Sequence, residues 1–514
     1  MNATADHGAV AIAAPHGHAV DAAAEAIAEG GNALDAALAA AAMLVVAYPH
    51  QCALGGDLTA LVRDPDGEVT AVLSLGAAPA AVDVEALRAA GATMPRQGPL
   101  TVTVPGVVAG WVELVGLGAT LGLRAPLLRA AAAAADGVPV AEGLARAIVL
   151  EAAGVAADPG LRATFTNGGI PLTAGEELRQ PALAATLEAL AADPSQIYAG
   201  EVAAALVDFL RTTGSAMSVE DFAAHAVERP EPLTATEGEL RWWAAPPPAQ
   251  GVTALALLGP STEPLGRALA AHAARDSFLG DPRGGAIDVT AMLEPMAAPG
   301  AAPAAYGSGD TVAISAVDDS GRSVVLIQSL YRTFGAGLLE PRTGIVLHNR
   351  GSAFSLEPGH PAEIGPGRRP PHSLCPLLGE RDGIRAAIGC QGGPAQPLIL
   401  SQVAAAALDP EASLESALAR PRWVVGSRPL GFEVDSVLAE PGAEAALAAE
   451  LDVPGAPPLV PGEPREDRCG HVQIARALGG ELLEAASDPR ADGGHFLSAE
   501  PPSTNAARGG GEEL

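Results

Sequence analysis

The residue whose chemistry stands out in this sequence is Thr311, which follows the tetrapeptide "GSGD" at 307–310 and opens the strand-like run "TVAISAVD". A threonine hydroxyl is a weak nucleophile unless a base lies beside it. An N-terminal threonine carries that base in its own α-amine, whose pKa is about 7.7–8.0. An internal threonine has no such amine, so nucleophilic chemistry here requires a cut between Asp310 and Thr311. The alternative is that Thr311 only begins a β-hairpin, and residue spacing alone does not separate the two.

Other common catalytic patterns are missing from the sequence. It contains no G-x-S-x-G elbow, phosphate-loop lysine, G-x-G-x-x-G fingerprint or H-E-x-x-H helix. The two histidines of "PHGH" at 15–18 lack partners at ligand spacing, so we predict loop residues and no metal site. The four cysteines form no C-x-x-C pair and no disulfide framework, and we interpret Cys375 and Cys390 as small buried residues.

The composition is that of a folded, acidic globular protein. Of the 514 residues, 48% are apolar and 18% charged, and the formal net charge is −30. This charge would repel nucleic acids and anionic membranes, so we expect neither as a partner. The N-terminus lacks the pattern of a secretory signal, and the most apolar stretch, residues 36–47, is too short to span a bilayer. We therefore expect a cytoplasmic protein.

Two helices and a hairpin are predicted before the helical middle of the chain. Residues 18–46 read as two helices, with a glycine pair closing the first and Asn32 capping the second. Alternating apolar residues on both sides of "PDG" at 65–67 predict a β-hairpin. Residues 125–225 are rich in Ala and Leu and follow a helical pattern.

Thr311 lies at the start of a second predicted hairpin, in which "TVAISAVD" and "RSVVLIQSL" alternate around the turn "DSG". An Ala/Pro/Gly-rich stretch at 295–309 precedes the hairpin, and we expect it to be an exposed, flexible linker. Farther along, the strand-like "IRAAIGC" leads into Gly392 and Gly393 and then into a predicted helix, "PAQPLILSQVAAAAL".

A series of motifs in a fixed order resembles the γ-glutamyltranspeptidase family of N-terminal-nucleophile (Ntn) hydrolases. They run from about residue 9 to 497 and include "YPHQCALGGDL", "TVTVPGVVAGW", "PPPAQG", "GDTVAISAVDDSG" and "GHVQIA". The resemblance implies an α+β fold, the αββα sandwich. It also implies a precursor that cuts itself before Thr311 into a large subunit, 1–310, and a small subunit, 311–514. It leaves open a homodimer of that two-chain unit.

The same resemblance assigns roles to individual residues. Thr311 would attack an amide carbonyl and form an acyl-enzyme, which water or an acceptor amine resolves. Gly392 and Gly393 match the family's paired glycines, whose N–H groups form the oxyanion hole, a role consistent with a Gly-Gly turn at a helix start. No metal or organic cofactor is implied, and the expected partner is a small-molecule amide substrate.

The sequence departs from the family where γ-glutamyl-specific members bind the amino-acid end of the substrate. The position aligned with the Arg that takes the α-carboxylate is Leu75, and the position aligned with the Asp that takes the α-amino group is Ala353. Ala77, where related acylases often have Arg, is also uncharged. Tyr331, His372 and Val312 stand where the family has an asparagine, one of two paired serines and a second threonine. A zwitterion needs an opposite charge at each end, or its desolvation is uncompensated. This argues against γ-glutamyl specificity.

The motifs "GDTV", "LIQS", "HNRG" and "FSLEPGHP" are similar to a subgroup that includes oxamate amidohydrolase and other non-glutamyl acylases. In that light Arg350 and His372 are candidates for binding an anionic or polar acyl group, although Arg350 could equally form a structural ion pair. Ser329, Tyr331 and Ser373 complete the predicted substrate-binding set.

Three functions are compatible with the sequence. The first is a self-processing amidohydrolase acting on a small, oxamate-like amide. The second is γ-glutamyl transfer or glutathione hydrolysis, and the third is an unprocessed, non-catalytic binding protein of the same fold. Retention of the nucleophile and of both glycines favours an enzyme over the third.

Overall fold

The computed structural model describes residues 8–295, 310–426, 436–479 and 482–498. Its strands are, in chain order, β1 (Val10–Ala14), β2 (Asp57–Arg63), β3 (Val69–Ser74), β4 (Val138–Pro139), β5 (Thr166–Asn167), β6 (Ile170–Pro171), β7 (Glu177–Leu178), β8 (Leu233–Glu237), β9 (Leu240–Ala244), β10 (Asp310–Asp318), β11 (Ser323–Tyr331), β12 (Leu339–Glu340), β13 (Ile345–Val346), β14 (Leu377–Arg381), β15 (Ile384–Cys390), β16 (Trp423–Gly426), β17 (Ser436–Ala439), β18 (Leu459–Pro461), β19 (Val472–Ala477), β20 (Leu483–Ser487) and β21 (Gly494–Leu497).

The α-helices of the same residues are α1 (Gly17–Ala28), α2 (Ala33–Ala47), α3 (Val84–Ala90), α4 (Val107–Gly116), α5 (Arg124–Asp136), α6 (Glu142–Leu150), α7 (Ala152–Ala157), α8 (Pro159–Phe165), α9 (Pro181–Ala192), α10 (Gln196–Ala199), α11 (Glu201–Thr213), α12 (Val219–Ala223), α13 (Gly251–Leu257), α14 (Pro264–Phe278), α15 (Val289–Leu293), α16 (Gln396–Ser401), α17 (Ala404–Ala407), α18 (Leu414–Ala419) and α19 (Ala448–Leu451). In the part of the chain that is described, none of these helices is long and apolar enough to cross a membrane.

Two six-stranded antiparallel sheets form the centre of the molecule. The first has the strand order β21-β1-β10-β11-β2-β3, and the second has the order β20-β19-β15-β14-β9-β8. Apolar side chains from both sheets fill the space between them, among them Ala13, Val325, Leu378 and Ala387.

Helices cover the outer face of each sheet. The buried residues of α1 and α2 join the outer face of the first sheet in one apolar cluster, and α13 and α16 cover the second sheet in the same way. The layers are therefore helix, sheet, sheet and helix, which confirms the predicted αββα fold.

The alternation along β10 places each of its side chains in one of two layers. Val312 and Ile314 pack with the helices, whereas Ala313 and Val317 point between the sheets. Because side chains alternate along a strand, Thr311 shares the inter-sheet face with Ala313.

The predicted elements around residues 18–75 are confirmed. Asn32 is the N-cap of α2, where its Oδ1 accepts hydrogen bonds from the N–H groups of Leu34 and Asp35, and Asp35 accepts the N–H of Asn32 in return. This reciprocal capping box satisfies donors that a helix start would otherwise leave unpaired. The hairpins β2–β3 and β10–β11 also form as predicted.

One predicted helix is interrupted. The segment after Gly393 contains α16 and α17, separated at Gln402 and Val403. The side-chain amide of Gln402 donates hydrogen bonds to the carbonyl oxygens of Leu398 and Trp423, which ties the end of α16 to β16. The expected linker at 295–309 lies almost entirely outside the described residues.

Strands from both sides of the predicted cut alternate within each sheet. In the first sheet β10 and β11 lie between β1 and β2, and in the second β14 pairs with β9. Neither 1–310 nor 311–514 could complete a sheet alone. The division of the chain at Asp310 remains a prediction.

The close approach of the sheets can be tested at Gly389. A Cβ atom there would lie 2.9 Å from side-chain carbons of Ala313 and Val325, on the opposite sheet. We expect Gly389→Val to lower the free energy of unfolding by about 1–3 kcal/mol, as overpacked cores usually do. Urea denaturation measures this. Gly154→Ala, in helix α7 with open space around the added methyl group, is the matched control and should leave stability unchanged or raised. Equal stability of Gly389→Val and the native chain would contradict the packing described.

Candidate active site

Three polar residues lie side by side on neighbouring strands, at one end of the first sheet. Thr311 of β10 is paired with Ser329 of β11, and Ser329 is paired with Asp57 of β2. All three are buried. Directly paired residues have Cβ atoms about 4.5–5.5 Å apart, so the backbone register alone brings these side chains together. A β-bulge between Asp310 and Thr311 offsets the two residues locally.

The hydroxyl of Ser329 connects Thr311 to the peptide bond that precedes it. Ser329 Oγ donates a hydrogen bond of 2.6 Å to the carbonyl oxygen of Asp310 and accepts the N–H of Tyr331 at 2.8 Å. It also lies 3.0 Å from Thr311 Oγ1. Because the single hydroxyl proton of Ser329 is directed at Asp310, the Thr311 hydroxyl is the donor in this last hydrogen bond.

Asp310 itself is buried at the first position of β10. Burial raises the pKa of the Asp310 carboxyl to about 7, although a hydrogen bond from the Thr333 hydroxyl opposes the shift. The charged form of a carboxylate loses its hydration when buried, which is why the acid form is favoured.

Four of the predicted substrate-binding residues line one pocket. Tyr331, Arg350, His372 and Ser373 lie there together, and the rest of the lining is Gln250, Arg275, Leu279, Pro371 and Pro394. Ser329 lies outside this lining, beside Thr311. Tyr331, which lines the pocket, donates its N–H to Ser329 Oγ. The pocket is therefore adjacent to Ser329, the residue that contacts Thr311.

Arg350 is fully buried in this pocket. Its Nη1 donates to Ser373 Oγ at 3.1 Å, and its guanidinium carbon lies 4.1 Å from the centre of the Tyr331 ring. Its Nε and Nη2 atoms have no hydrogen-bond partner among the described residues, and no described carboxylate lies within ion-pair distance. Burial lowers the pKa of Arg350 to about 10, so the side chain remains a cation at neutral pH. A structural ion pair, the alternative from the sequence, is absent in the described part of the chain.

Asp57 and His348 were not identified from the sequence. Asp57 Oδ2 lies 3.1 Å from His348 Nδ1 and 3.4 Å from His372 Nε2, and Asp57 Oδ1 accepts the N–H of Gly76 at 2.9 Å. Burial alone would raise the pKa of Asp57, but His348, His372 and Arg350 hold it at about 2. The signal in the sequence that could have found them is their place in two of the quoted motifs, since Asp57 lies in "YPHQCALGGDL" and His348 begins "HNRG".

Gly392 and Gly393 form the turn after β15. Gly393 has a φ of 52°, in the left-handed region that favours glycine. The side-chain amide of Gln250 donates to the carbonyl oxygens of Gly393 and Ser373, at 3.0 and 2.6 Å. This joins the glycine turn to the pocket wall. Within the described chain, neither glycine N–H donates to another residue.

Leu75, Val312 and Ala353, three of the positions that depart from the family pattern, are apolar and buried. Leu75 packs with Ala245 and Ala249, and Val312 faces the helices. Ala353 ends a short 3-10 helix that begins at Arg350. Charged groups for an amino-acid zwitterion are therefore missing at these sites.

The cysteines and the "PHGH" histidines are placed away from reactive roles. Burial raises the pKa of the Cys375 and Cys390 thiols, so neither is a ready thiolate. The His16 side chain accepts the N–H of His18 as the N-cap of α1. Among described residues there is no group of three or more potential metal-ligating side chains.

The family model "Gamma-glutamyltranspeptidase" matches residues 19–263 and 270–497, nearly the whole chain. The chain belongs to the γ-glutamyltranspeptidase family and is an enzyme of the Ntn-hydrolase class.

Individual relatives cover almost the same length. The chain is 36% identical to the oxamate amidohydrolase proenzyme of Klebsiella pneumoniae, over 93% of this chain and 97% of the relative. It is 30% identical to the glutathione hydrolase-like YwrD proenzyme of Bacillus subtilis, over 94% and 97%. A solved structure of cephalosporin acylase from Bacillus halodurans superposes with a TM-score of 0.83 at 27% identity, covering 96% of this chain and 97% of that one. All three are enzymes by name.

The buried Asp310 carboxyl leads to a prediction about the stability of the uncut chain, tested in a Thr311→Ala variant so that the predicted cleavage cannot interfere. The pKa of Asp310 is about 7 in the folded chain against a reference of 3.8, so the folded state holds a proton that the unfolded state loses between these values. Stability should fall as pH rises from about 4 to 7, by up to about 4 kcal/mol, and then level off.

Adding Asp310→Asn should remove this dependence. We expect the double variant to match Thr311→Ala at pH 4 and to be clearly more stable at pH 8, as measured by urea denaturation. If the free energies of unfolding of the double variant and of Thr311→Ala differ by the same amount at pH 4 and pH 8, the buried, protonated state of Asp310 is contradicted.

Proposed function

We propose that the chain is a self-processing amidohydrolase that cuts itself before Thr311 and then hydrolyses a small, carboxylate-bearing amide. The observation that carries this proposal is the hydrogen-bonded arrangement of Thr311, Ser329 and the Asp310 carbonyl oxygen. It joins a nucleophile to the peptide bond that must be cut. The proenzyme names of the relatives support the same conclusion.

Self-cleavage must begin before an α-amine exists, so another group has to accept the Thr311 hydroxyl proton. Ser329 is placed for this, because it accepts from Thr311 and donates to Asp310. As Thr311 Oγ1 attacks the Asp310 carbonyl carbon, its proton passes to Ser329, and the Ser329 proton passes to the carbonyl oxygen. The intermediate returns this proton to the Thr311 nitrogen as the C–N bond breaks. Water then hydrolyses the resulting ester and releases the Asp310 carboxyl group.

The mature enzyme would use the freed α-amine of Thr311 as its base. Thr311 Oγ1 attacks the substrate amide carbonyl, the amine leaves with a proton, and water hydrolyses the acyl-enzyme. The free N–H groups of Gly392 and Gly393 support their role as donors to the developing oxyanion, since a donor already used within the fold could not serve.

The pocket favours an acyl group that carries a carboxylate. Arg350 is a buried cation with two nitrogen atoms that have no partner among the described residues, and a buried charge is stable only when compensated. A carboxylate would occupy both donors in a charge-assisted pair. Oxamate is the first substrate to test, and the 36% identity with an oxamate amidohydrolase proenzyme supports this choice. The uncharged Leu75 and Ala353 speak against a γ-glutamyl group.

The proton transfer from Thr311 through Ser329 to the Asp310 carbonyl oxygen, here called the Ser329 relay, predicts a specific defect in self-cleavage. Native protein should be found as two chains, the smaller beginning Thr-Val-Ala-Ile-Ser, by intact mass and N-terminal sequencing. Ser329→Ala should slow this cleavage by at least a factor of about 10², a typical contribution of proton transfer by a positioned group. Ser373→Ala, in the pocket wall, is the control and should cleave at the native rate. A native chain that stays at 51.2 kDa would overturn self-processing, and normal cleavage of Ser329→Ala would overturn the relay.

The substrate assignment predicts an asymmetric effect of Arg350→Gln. Its kcat/KM for oxamate should fall by about 10²–10³, the loss expected when a buried charge-assisted contact is removed. Activity on an uncharged amide such as acetamide should change far less. Arg332→Gln removes a buried arginine that also contacts the Tyr331 ring but lies outside the pocket lining, and it should leave the preference intact. Faster turnover of a γ-glutamyl anilide than of oxamate by the native enzyme would instead identify a γ-glutamyl enzyme.

A further inference from the structure

Asp57 has two histidine neighbours, His348 and His372, and the ring nitrogens of the two histidines face different groups. His348 Nδ1 faces the Asp57 carboxylate, and His348 Nε2 lies 2.8 Å from the carbonyl oxygen of Thr103. Both ring nitrogens of His348 therefore face oxygen acceptors. All of these groups are buried.

His372 lies between Asp57 and the pocket. Its Nε2 is 3.4 Å from Asp57 Oδ2, within ion-pair distance, but neither Nε2 nor Nδ1 makes a hydrogen bond to another described residue. Its ring is buried, whereas the residue lines the pocket next to Arg350. The backbone of His372 is fixed on both sides, because its N–H donates to Pro248 and its carbonyl oxygen accepts from Gln250.

The charged groups around His372 come from several elements and keep it neutral without a ligand. Burial and the positive charge of Arg350 hold the pKa of His372 well below its usual value, whereas Asp57 opposes this and His348 and Arg369 add to it. One nitrogen then carries a proton and the other a lone pair. With Asp57 ionised, the proton belongs on Nε2, which leaves the Nδ1 lone pair without a donor.

A carboxylate bound at Arg350 changes this balance. It would place a second negative charge beside His372, and an Nδ1 lone pair would repel it. A proton on Nδ1 turns this repulsion into a charge-assisted hydrogen bond, and the charged ring also attracts the Asp57 carboxylate, 3.4 Å from Nε2. The imidazolium ring would then lie between two carboxylates, one from the protein and one from the ligand.

We propose that an anionic ligand enters this pocket together with one proton, which His372 takes up, and that Asp57 is the positioning residue for the charged ring. The inference rests on the proposed function in one respect, that the ligand carries a carboxylate. It adds a regulation of affinity by pH: because binding raises the proton affinity of His372, the ligand dissociation constant should increase as pH rises, by up to about tenfold per pH unit.

The test is isothermal titration calorimetry of the purified enzyme with oxalate at pH 7.5. Oxalate, the product of oxamate hydrolysis, carries the carboxylate but has no amide to cleave, and it brings no proton at this pH. Titrations in HEPES and Tris, whose ionisation enthalpies differ, give the number of protons taken from the buffer. We expect close to one proton per site for the native enzyme.

Two variants assign that proton. His372→Gln should bind oxalate more weakly and with no proton uptake, because a glutamine amide does not titrate. Asp57→Asn should reduce uptake below that of the native enzyme, because the second carboxylate is lost, while circular dichroism confirms that the variant is folded. A purely structural role of Asp57 would alter stability and leave the proton count unchanged.

Several outcomes would overturn the inference: oxalate binding by the native enzyme without proton uptake, uptake that persists in His372→Gln, or no oxalate binding at all. If oxamate is hydrolysed while proton uptake is absent, the proposed function stands and only this inference fails. If oxalate does not bind and oxamate is not hydrolysed, both fail together.

Discussion

The hydrogen bonds of one buried hydroxyl, that of Ser329, connect Thr311 to the peptide bond that precedes it. Its geometry depends on the register of three strands, since Thr311, Ser329 and Asp57 occupy paired positions on β10, β11 and β2. A shift of one residue would turn these side chains to the helix-covered face. The apolar residues that alternate along the same strands fix the strand register, and the register fixes the positions of the three polar residues. The geometry of the site therefore depends on the packing of the core.

The pocket contains a buried cation, Arg350, that has no carboxylate within ion-pair distance among the described residues. The positions aligned with the family's zwitterion-binding Arg and Asp, Leu75 and Ala353, are apolar and buried. The Arg350 guanidinium stacks over the Tyr331 ring and donates a hydrogen bond to Ser373 Oγ. These contacts orient a cation without neutralising it, so its attraction remains available to a ligand.

Much of the fold followed from local patterns in the sequence. The capping box at Asn32 and the two hairpins could be predicted because their signals lie within a few residues of one another. The four-layer fold and the candidate nucleophile came from the ordered motifs of the family rather than from periodicity. Asp57, His348 and His372 could not be grouped in this way, because about 300 residues separate the first from the others and only tertiary packing brings them together. The interruption between α16 and α17 was also missed, since Gln402 bonds to a residue outside its helix.

The interleaved strands have a consequence for the assembly of the two parts of the chain and for complementation between defective copies. β10 begins at Asp310 and lies between β1, from the first part of the chain, and β11, from the second. If the chain is cut there, each small subunit stays hydrogen-bonded to the large subunit with which it was translated. Subunit exchange between molecules would require both sheets to come apart. Two defective copies, one damaged on each side of the cut, should therefore fail to complement each other in the same cell.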